Sequence, residues 1–248
     1  MILLKSEREL ELIRRACGIV RELLERLAGQ IRPGIRTLDL DMKAYEIIKT
    51  RGGESAFKGY RGFPAHICTS VNEEVVHGIP GERRLEEGDI VGVDVGVRVE
   101  GYHGDAARTF AVGKIGKSAQ LLIEVTRESL REGIGRFRAG GRLSDIGAAV
   151  QGYVEAHEFS VVREFVGHGI GRDLHEDPQV PNFGEPGTGP RLVEGMTLAI
   201  EPMVNMGKPD VRVLEDQWTV VTCDGMLSAH FEDTVALTER GTEVLTNA

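Results

Sequence analysis

The chain has 248 residues, which suits one large domain or two fused small ones and is enough to bury a core. A formal net charge of -9 argues against nucleic-acid binding, and no apolar run approaches the roughly 20 residues of a membrane span. The N-terminus becomes charged within five residues, so no secretory signal is expected. Three cysteines without metal or redox spacing favour a reducing cytoplasm.

Two helices are predicted first. Ser6 and Glu9 form a capping-box pattern, and apolar residues then recur at steps of three and four until Pro33. A second helix is predicted from Thr37 to about Arg51, where two glycines end it.

The first helical region repeats later in the chain. Residues 21–40 align with residues 127–146 at an offset of 106. Chance among common helix residues is the simpler explanation, but the identities fall in register with the same helix–turn–helix pattern. They are Arg21/Arg127, Glu22/Glu128, Arg32/Arg138, Gly34/Gly140, Arg36/Arg142 and Asp39/Asp145. We expect one catalytic domain over 1–248, built from related halves of about 1–115 and 116–248 with a site between them.

Strand patterns follow each helix pair. Residues 89–99 alternate, a two-residue turn at 100–101 is expected, and residues 102–112 return as a hairpin. Further strands are predicted at Phe159–Val166, Met196–Glu201, Trp218–Cys223 and Ala229–Leu237. Helix pairs followed by antiparallel strands indicate an α+β fold.

The hairpin places two carboxylates together. If Val99 pairs with Tyr102, Asp94 faces Ala107, and Asp105 shares its face on the diagonal, roughly 7–8 Å away by Cα. Such carboxylates can converge on two ions roughly 3.5–4 Å apart. Three glycines are expected to leave room on that face: Gly92, Gly96 and Gly104. The alternative for this pair alone is a half-exposed hairpin with solvated aspartates.

Two glutamates and a histidine extend the set. Glu201 ends an apolar run before Pro202, and Glu232 lies in an alternating strand, with Asp233 on its opposite, structural side. Taken alone, Glu201 and Glu232 could each also be a solvent-exposed residue of a strand.

His168 lies among glycines that let the backbone approach a ligand closely, with His175 seven residues later. A single histidine is more often packed or exposed than a ligand. Taken together, however, four buried carboxylates would repel one another, and two divalent cations would cancel their charge. The set therefore predicts a two-metal hydrolase.

Five motifs carry a resemblance to a known family. They are VNEEVVHGIP (71–80), DVGVRVEGYHGDAARTF (94–110), FVGHGIGRDLHEDP (165–178), MTLAIEPM (196–203) and HFEDTV (230–235). Over nearly the whole chain they resemble the methionine aminopeptidases, type I. The resemblance implies the pseudo-two-fold "pita-bread" α+β fold, with an antiparallel sheet and helices packed outside. It also implies that Asp105 and Glu232 bridge both metals, while Asp94 completes one ion and His168 and Glu201 the other.

The resemblance further implies roles around the metals. Glu201 would shuttle a proton, and His77 and His175 would contact the substrate at the scissile bond. The methionine side-chain pocket would be formed by Tyr60, Phe63, Cys68, Leu174 and Trp218. Phe63 and Leu174 stand where many relatives have tyrosine and phenylalanine, and Phe57 where some have cysteine, so the pocket should stay apolar. The metal set suits Co, Mn, Fe or Zn, and relatives hold a monovalent cation near positions equivalent to Asn72 and Ser228.

The implied activity is removal of the initiator methionine from new proteins when the second residue is small. The partners expected are the N-terminus of a nascent polypeptide and, transiently, the ribosome, with no membrane or specific nucleic acid; the resemblance implies a monomer. Two alternatives share the fold. A proline-directed peptidase, such as prolidase or aminopeptidase P, usually carries a large further N-terminal domain, and a non-catalytic binding protein typically loses metal ligands.

Overall fold

The structure is a computed structural model and describes residues 1–246. Its helices are α1 (Glu7–Ala28), α2 (Thr37–Thr50), α3 (Lys117–Ile134) and α4 (Leu143–Glu155), with a 3-10 turn at Tyr60–Gly62. Its strands are β1 (Glu54–Ser55), β2 (Cys68–Val71), β3 (Glu74–Val76), β4 (Ile90–Val99), β5 (Tyr102–Ala111), β6 (Ser160–Val161), β7 (Gly167–Gly169), β8 (Glu176–Val180), β9 (Thr197–Ile200), β10 (Met203–Asn205), β11 (Val211–Val213), β12 (Val220–Thr222), β13 (Ser228–His230), β14 (Glu232–Thr238) and β15 (Gly241–Val244). No helix in residues 1–246 is long and apolar enough to cross a membrane.

A central antiparallel sheet organises the fold. Its main path runs β1-β4-β5-β14-β9-β7-β8, with β2 on β4 and β15 on β14. The β4–β5 hairpin has the predicted register, in which Val99 pairs with Tyr102 and Asp94 with Ala107. One core cluster joins the β4 valines to α1 and α2, and a second joins β9 and β14 to α3 and α4. The helices thus cover one face of the sheet.

Local sequence explains how α1 is placed. The Glu9 carboxylate accepts hydrogen bonds from the backbone N–H and the hydroxyl of Ser6, at 2.9 and 2.7 Å, so the predicted cap is confirmed.

The expectation that Gly104 shares the face of Asp94 is wrong. A Cβ on Gly104 would lie 2.7 Å from the backbone N of Cys17, so this glycine lets α1 approach β5 from the opposite face.

The two helix pairs repeat the same backbone contacts. Gly34 and Gly140 have left-handed φ values of 88° and 82°. Their N–H groups donate to Leu85 O and Leu192 O, at 2.7 and 3.0 Å. The capping boxes that open α2 and α4 also coincide, at Arg36/Asp39 and Arg142/Asp145. The offsets of 106 and 107 residues confirm the pseudo-two-fold fold.

Several strand predictions need correction. Of Phe159–Val166, only Ser160–Val161 forms a strand, and Trp218–Cys223 shortens to Val220–Thr222. The single strand predicted at Ala229–Leu237 is two strands, because Phe231 leaves the ladder and its N–H donates to Pro202 O at 3.3 Å. β13 therefore pairs with β10 and β14 with β9, in different sheets.

Candidate metal centre

The predicted ligands come together at the β4–β5 hairpin and at two interruptions between strands, one after β9 and one between β13 and β14. Asp105 pairs with Gly96 and lies on the same face as Asp94, so the two carboxyl groups are close to each other. Glu201 follows β9 and Glu232 begins β14, so both glutamates lie where the chain changes sheets. His168 on β7 pairs with Ala199 of β9, which brings its imidazole to the same point.

The tautomer of His168 suits a metal ligand. Its Nδ1 lies 2.9 Å from the carbonyl oxygen of Gly169, so Nδ1–H donates there and the lone pair stays on Nε2. Nε2 is 3.5 Å from Glu201 Oε1. Burial lowers the pKa of His168 to about 4, which keeps the ring neutral at pH 7.

The neighbouring glycines serve the sheet and not a ligand, contrary to expectation. A Cβ on Gly167 would lie 2.4 Å from Ala199 O, and one on Gly169 would lie 2.2 Å from Asp177 O. These glycines therefore allow β7 to fit closely between β9 and β8.

The donor set fits divalent cations. One ligand atom each of Asp105, His168 and Glu232 lies within 4.8 Å of the others. Within residues 1–246, the buried atoms Asp94 Oδ1, Asp105 Oδ1 and Glu232 Oε1 have no hydrogen-bond partner. A buried carboxylate without a partner is costly unless it is protonated or coordinates a cation. Four carboxylates with one imidazole form a hard to borderline set that suits such ions.

Electrostatics support the same interpretation. Burial raises the pKa of Asp94 to about 7. Burial, then the nearby carboxylates, raises the pKa of Asp105, Glu201 and Glu232 well above the usual range. Divalent cations would stabilise the ionised forms and remove this repulsion.

Two more predicted histidines lie beside this set. His175 Nδ1 is 2.9 Å from the Tyr60 hydroxyl, and its ring centroid is 4.1 Å from that of His168. His77 has a left-handed φ of 60° and meets the Phe165 and Trp218 rings edge-on. Burial is the main cause that lowers the pKa of His175 to about 3 and of His77 to about 4, so both are neutral at pH 7.

An apolar cavity opens onto the carboxylates. Its volume is about 350 Å³, and all five residues expected in the methionine pocket line it: Tyr60, Phe63, Cys68, Leu174 and Trp218. Cys68 pairs with Asp94 across β2 and β4, and burial keeps its thiol protonated by raising its pKa. Gly96 makes room for the Phe57 ring, because a Cβ there would lie 2.5 Å from Phe57 Cε1.

Sequence reasoning missed several residues of this cavity. Among them, Phe165 lines its wall and His230 lies at its floor. His230 Nε2 is buried without a hydrogen-bond partner in the described chain and lies 3.8 Å from Glu201 Oε2. Its position two residues before Glu232 on an alternating pattern was the signal that could have found it.

Comparisons with known proteins agree with this geometry. The sequence pattern of metallopeptidase family M24 matches residues 11–239. A methionine aminopeptidase of Clostridium perfringens is 56% identical over 246 residues, with 99% of both chains covered. The chain belongs to metallopeptidase family M24, among the methionine aminopeptidases.

Structural comparison distinguishes a full-length relative from a structure that shares only the fold. A methionine aminopeptidase structure from Thermotoga maritima superposes with a TM-score of 0.98 at 47% identity, with 100% of both chains covered. A prolidase from Pyrococcus furiosus shares the fold alone, with a TM-score of 0.80 at 24% identity, and the chain covers 65% of it. The predicted family resemblance, fold and metallo-aminopeptidase class are therefore confirmed.

Proposed function

We propose that the protein removes the initiator methionine from new proteins, with Asp94, Asp105, His168, Glu201 and Glu232 holding two divalent ions. The observation that carries the proposal is a set of buried carboxylate oxygens without protein partners at the floor of an apolar cavity. The ions would be Co, Mn, Fe or Zn. Such cations supply Lewis acidity, which lowers the pKa of water and polarises a carbonyl oxygen.

The side chains supply proton transfer. Glu201 lies at the edge of the set, between His168 and His230, at 3.5 and 3.8 Å from their Nε2 atoms. In the proposed mechanism its carboxylate accepts a proton from the attacking water and returns it to the leaving amine.

Two neutral histidines orient the peptide. The hydroxyl of Tyr60 donates to His175 Nδ1, which leaves Nε2–H of His175 to donate to the scissile carbonyl oxygen as negative charge develops. His77, held between aromatic rings, steadies the amide of the second residue. Both therefore act as hydrogen-bond donors without carrying charge.

The cavity accounts for specificity. Phe63, Cys68 and Leu174 are buried apolar surfaces that match an unbranched thioether side chain. Because the ligands lie directly at the cavity floor, a bulky second residue would clash there, so alanine, glycine and serine are preferred.

The remaining features are proposed more generally. The chain acts as one catalytic domain with halves of about 1–115 and 116–248, as a monomer, in the cytoplasm, on nascent chains that it meets near the ribosome. The free thiols of Cys17, Cys68 and Cys223 support a reducing compartment. A monovalent cation near Asn72 and Ser228 stays a prediction; there the Ser228 N–H donates to Asn72 O at 2.9 Å.

Peptide cleavage tests the proposal. Methionine release from Met-Ala-Ser and Met-Leu-Ser is measured beside Xaa-Pro peptides, after metal removal and after addition of Co or Mn. Metal-dependent release from Met-Ala-Ser alone is expected. Cleavage of Xaa-Pro peptides would support the proline-directed alternative, and no cleavage with any metal would favour a binding protein.

A further inference from the structure

The residues that precede α1 lie against the back of the segment that carries His175. We propose that Lys5 and Glu176 are positioning residues, whose buried ion pair fixes segment 171–176 and thereby aims the His175 imidazole. This inference rests on the proposed role of His175 in the reaction.

The ion pair is almost fully buried. Lys5 Nζ lies 2.5 Å from Glu176 Oε2, and the two side chains are 5% and 4% exposed. Lys5 Nζ also donates to Leu3 O at 2.9 Å. Lysine is rarely buried unless it is paired, and surface pairs contribute little because water screens them. This pair is sheltered from that screening.

Glu176 connects the pair to the active segment. It directly follows His175, and its second oxygen, Oε1, accepts a hydrogen bond from the Asp173 N–H at 3.2 Å. Gly171 begins the same segment, and a Cβ there would lie 2.5 Å from Lys5 Cε. A glycine at 171 is therefore what admits the lysine, and the pair joins both ends of the segment.

Lys5 is itself anchored to the central sheet. Its N–H donates to Gly195 O at 2.7 Å, and the N–H of Gly195 donates to Leu237 O, in β14, at 2.8 Å. Strand β14 also begins with Glu232, a proposed metal ligand. The ion pair thus connects the His175 segment to β14, the strand that also positions Glu232.

On the cavity side, fewer contacts hold the His175 imidazole in place than on the side of the ion pair. Its imidazole touches the Tyr60 hydroxyl and the His168 ring, and Tyr60 belongs to a 3-10 turn whose next residue, Arg61, has a left-handed φ of 48°. A misplacement of about 1 Å in a catalytic group can cost about a hundredfold in rate. The attachment through Lys5 is therefore expected to affect turnover.

A double-mutant cycle tests the proposal in the full-length, metal-loaded enzyme. The variants are Lys5→Met, His175→Ala and their combination, with exposed Lys114→Met as the matched control. We expect Lys5→Met to lower kcat by about tenfold to a hundredfold. In the His175→Ala background, the same change should lower kcat by less than about twofold, because the imidazole that Lys5 is proposed to position is already absent.

A second pair of measurements separates positioning from stability. Glu176→Gln combined with Lys5→Met removes both buried charges, so the melting temperature should recover relative to Lys5→Met while kcat stays low. Cobalt affinity, measured by calorimetry, should stay within about twofold of wild type in both variants, since the ligands are not moved.

Three results would overturn the proposal. The first is unchanged kcat in Lys5→Met, and the second is an equal loss with and without His175. The third is recovery of kcat together with stability in the neutral double variant, which would indicate a purely structural pair. If His175→Ala alone leaves kcat unchanged, the assigned role of His175 fails instead.

Discussion

Two groups of buried carboxylates in this protein differ in what neutralises them. Asp41 and Asp233 are 4% and 6% exposed, and protein groups satisfy both. Asp41 accepts from the backbone N–H groups of His66 and Ile67, and Asp233 from Arg108 and Thr246. Asp105 and Glu232 are just as buried, at 4% and 2%, yet each keeps an oxygen that has no hydrogen-bond partner in residues 1–246.

Glu232 and Asp233 make the contrast within one strand. They are adjacent on β14, so burial and local sequence hardly distinguish them. The difference is that a guanidinium faces the carboxylate of Asp233, whereas burial and neighbouring carboxylates raise the pKa of Glu232. A buried acid that the protein leaves without a cation is a better indication of a metal site than burial alone.

The largest effect is expected from removing a site side chain. Glu201→Ala and His168→Ala should each lower methionine release from Met-Ala-Ser by about a thousandfold or more, since the proposed proton transfer and the proposed metal ligation would be lost. Exposed Glu239→Ala is the control and should match wild type. Normal activity in either site variant would refute the assignment.

Metal removal should affect the carboxylates of the proposed metal set and leave Asp41 and Asp233 unaffected. Chelation should abolish turnover and lower the melting temperature by about 5–10 °C, because ligand binding at about a hundred times Kd stabilises by about 2.7 kcal/mol. Addition of Mn or Co should restore both, as measured by calorimetry and peptide release. A melting temperature that does not respond to metal would contradict the account.

Asp233→Asn should lower stability without affecting metal binding. It weakens the contact with Arg108 and is expected to cost about 1.5–3 kcal/mol of unfolding free energy, measured in urea. Metal stoichiometry should be unchanged. If the substitution instead removed metal without a stability cost, Asp233 would belong to the site.

A further effect concerns pH. The pKa of Asp94 is raised from 3.8 to about 7, so the folded metal-free protein holds more protons than the unfolded chain between these values. Its stability should therefore be greatest below pH 4 with respect to this group and fall as the pH rises through about 7. The metal-loaded protein should lack this loss. Melting curves at several pH values, with and without chelator, check the sign.

The sequence predicted those parts that local patterns determine. The capping box of Ser6, the period of α1 and the two-residue turn after Val99 depend on neighbours in the chain, and the hairpin register followed from them. The repeated helix pairs followed from identities at a fixed offset. The convergence of the ligands was expected from charge, and their individual roles from the family resemblance.

Features that depend on long-range packing were not predicted. The break at Phe231 arises because Pro202 faces it, and Gly104 is explained only by the approach of α1. Gly167 and Gly169 were assigned to a ligand because the sequence does not show that β7 lies between two strands. The buried pair of Lys5 and Glu176 joins residues 171 positions apart, and no local pattern marks it.

Metal stoichiometry tests the central claim most directly. The chelated protein is titrated with cobalt by calorimetry at pH 7 and then analysed for bound metal, beside Asp105→Asn and Asp233→Asn. We predict two ions per wild-type chain, bound with release of protons from the raised-pKa carboxylates, two ions in Asp233→Asn and a severe loss of binding in Asp105→Asn. Absence of bound metal in the wild type, or binding that Asp105→Asn leaves intact, would contradict the account.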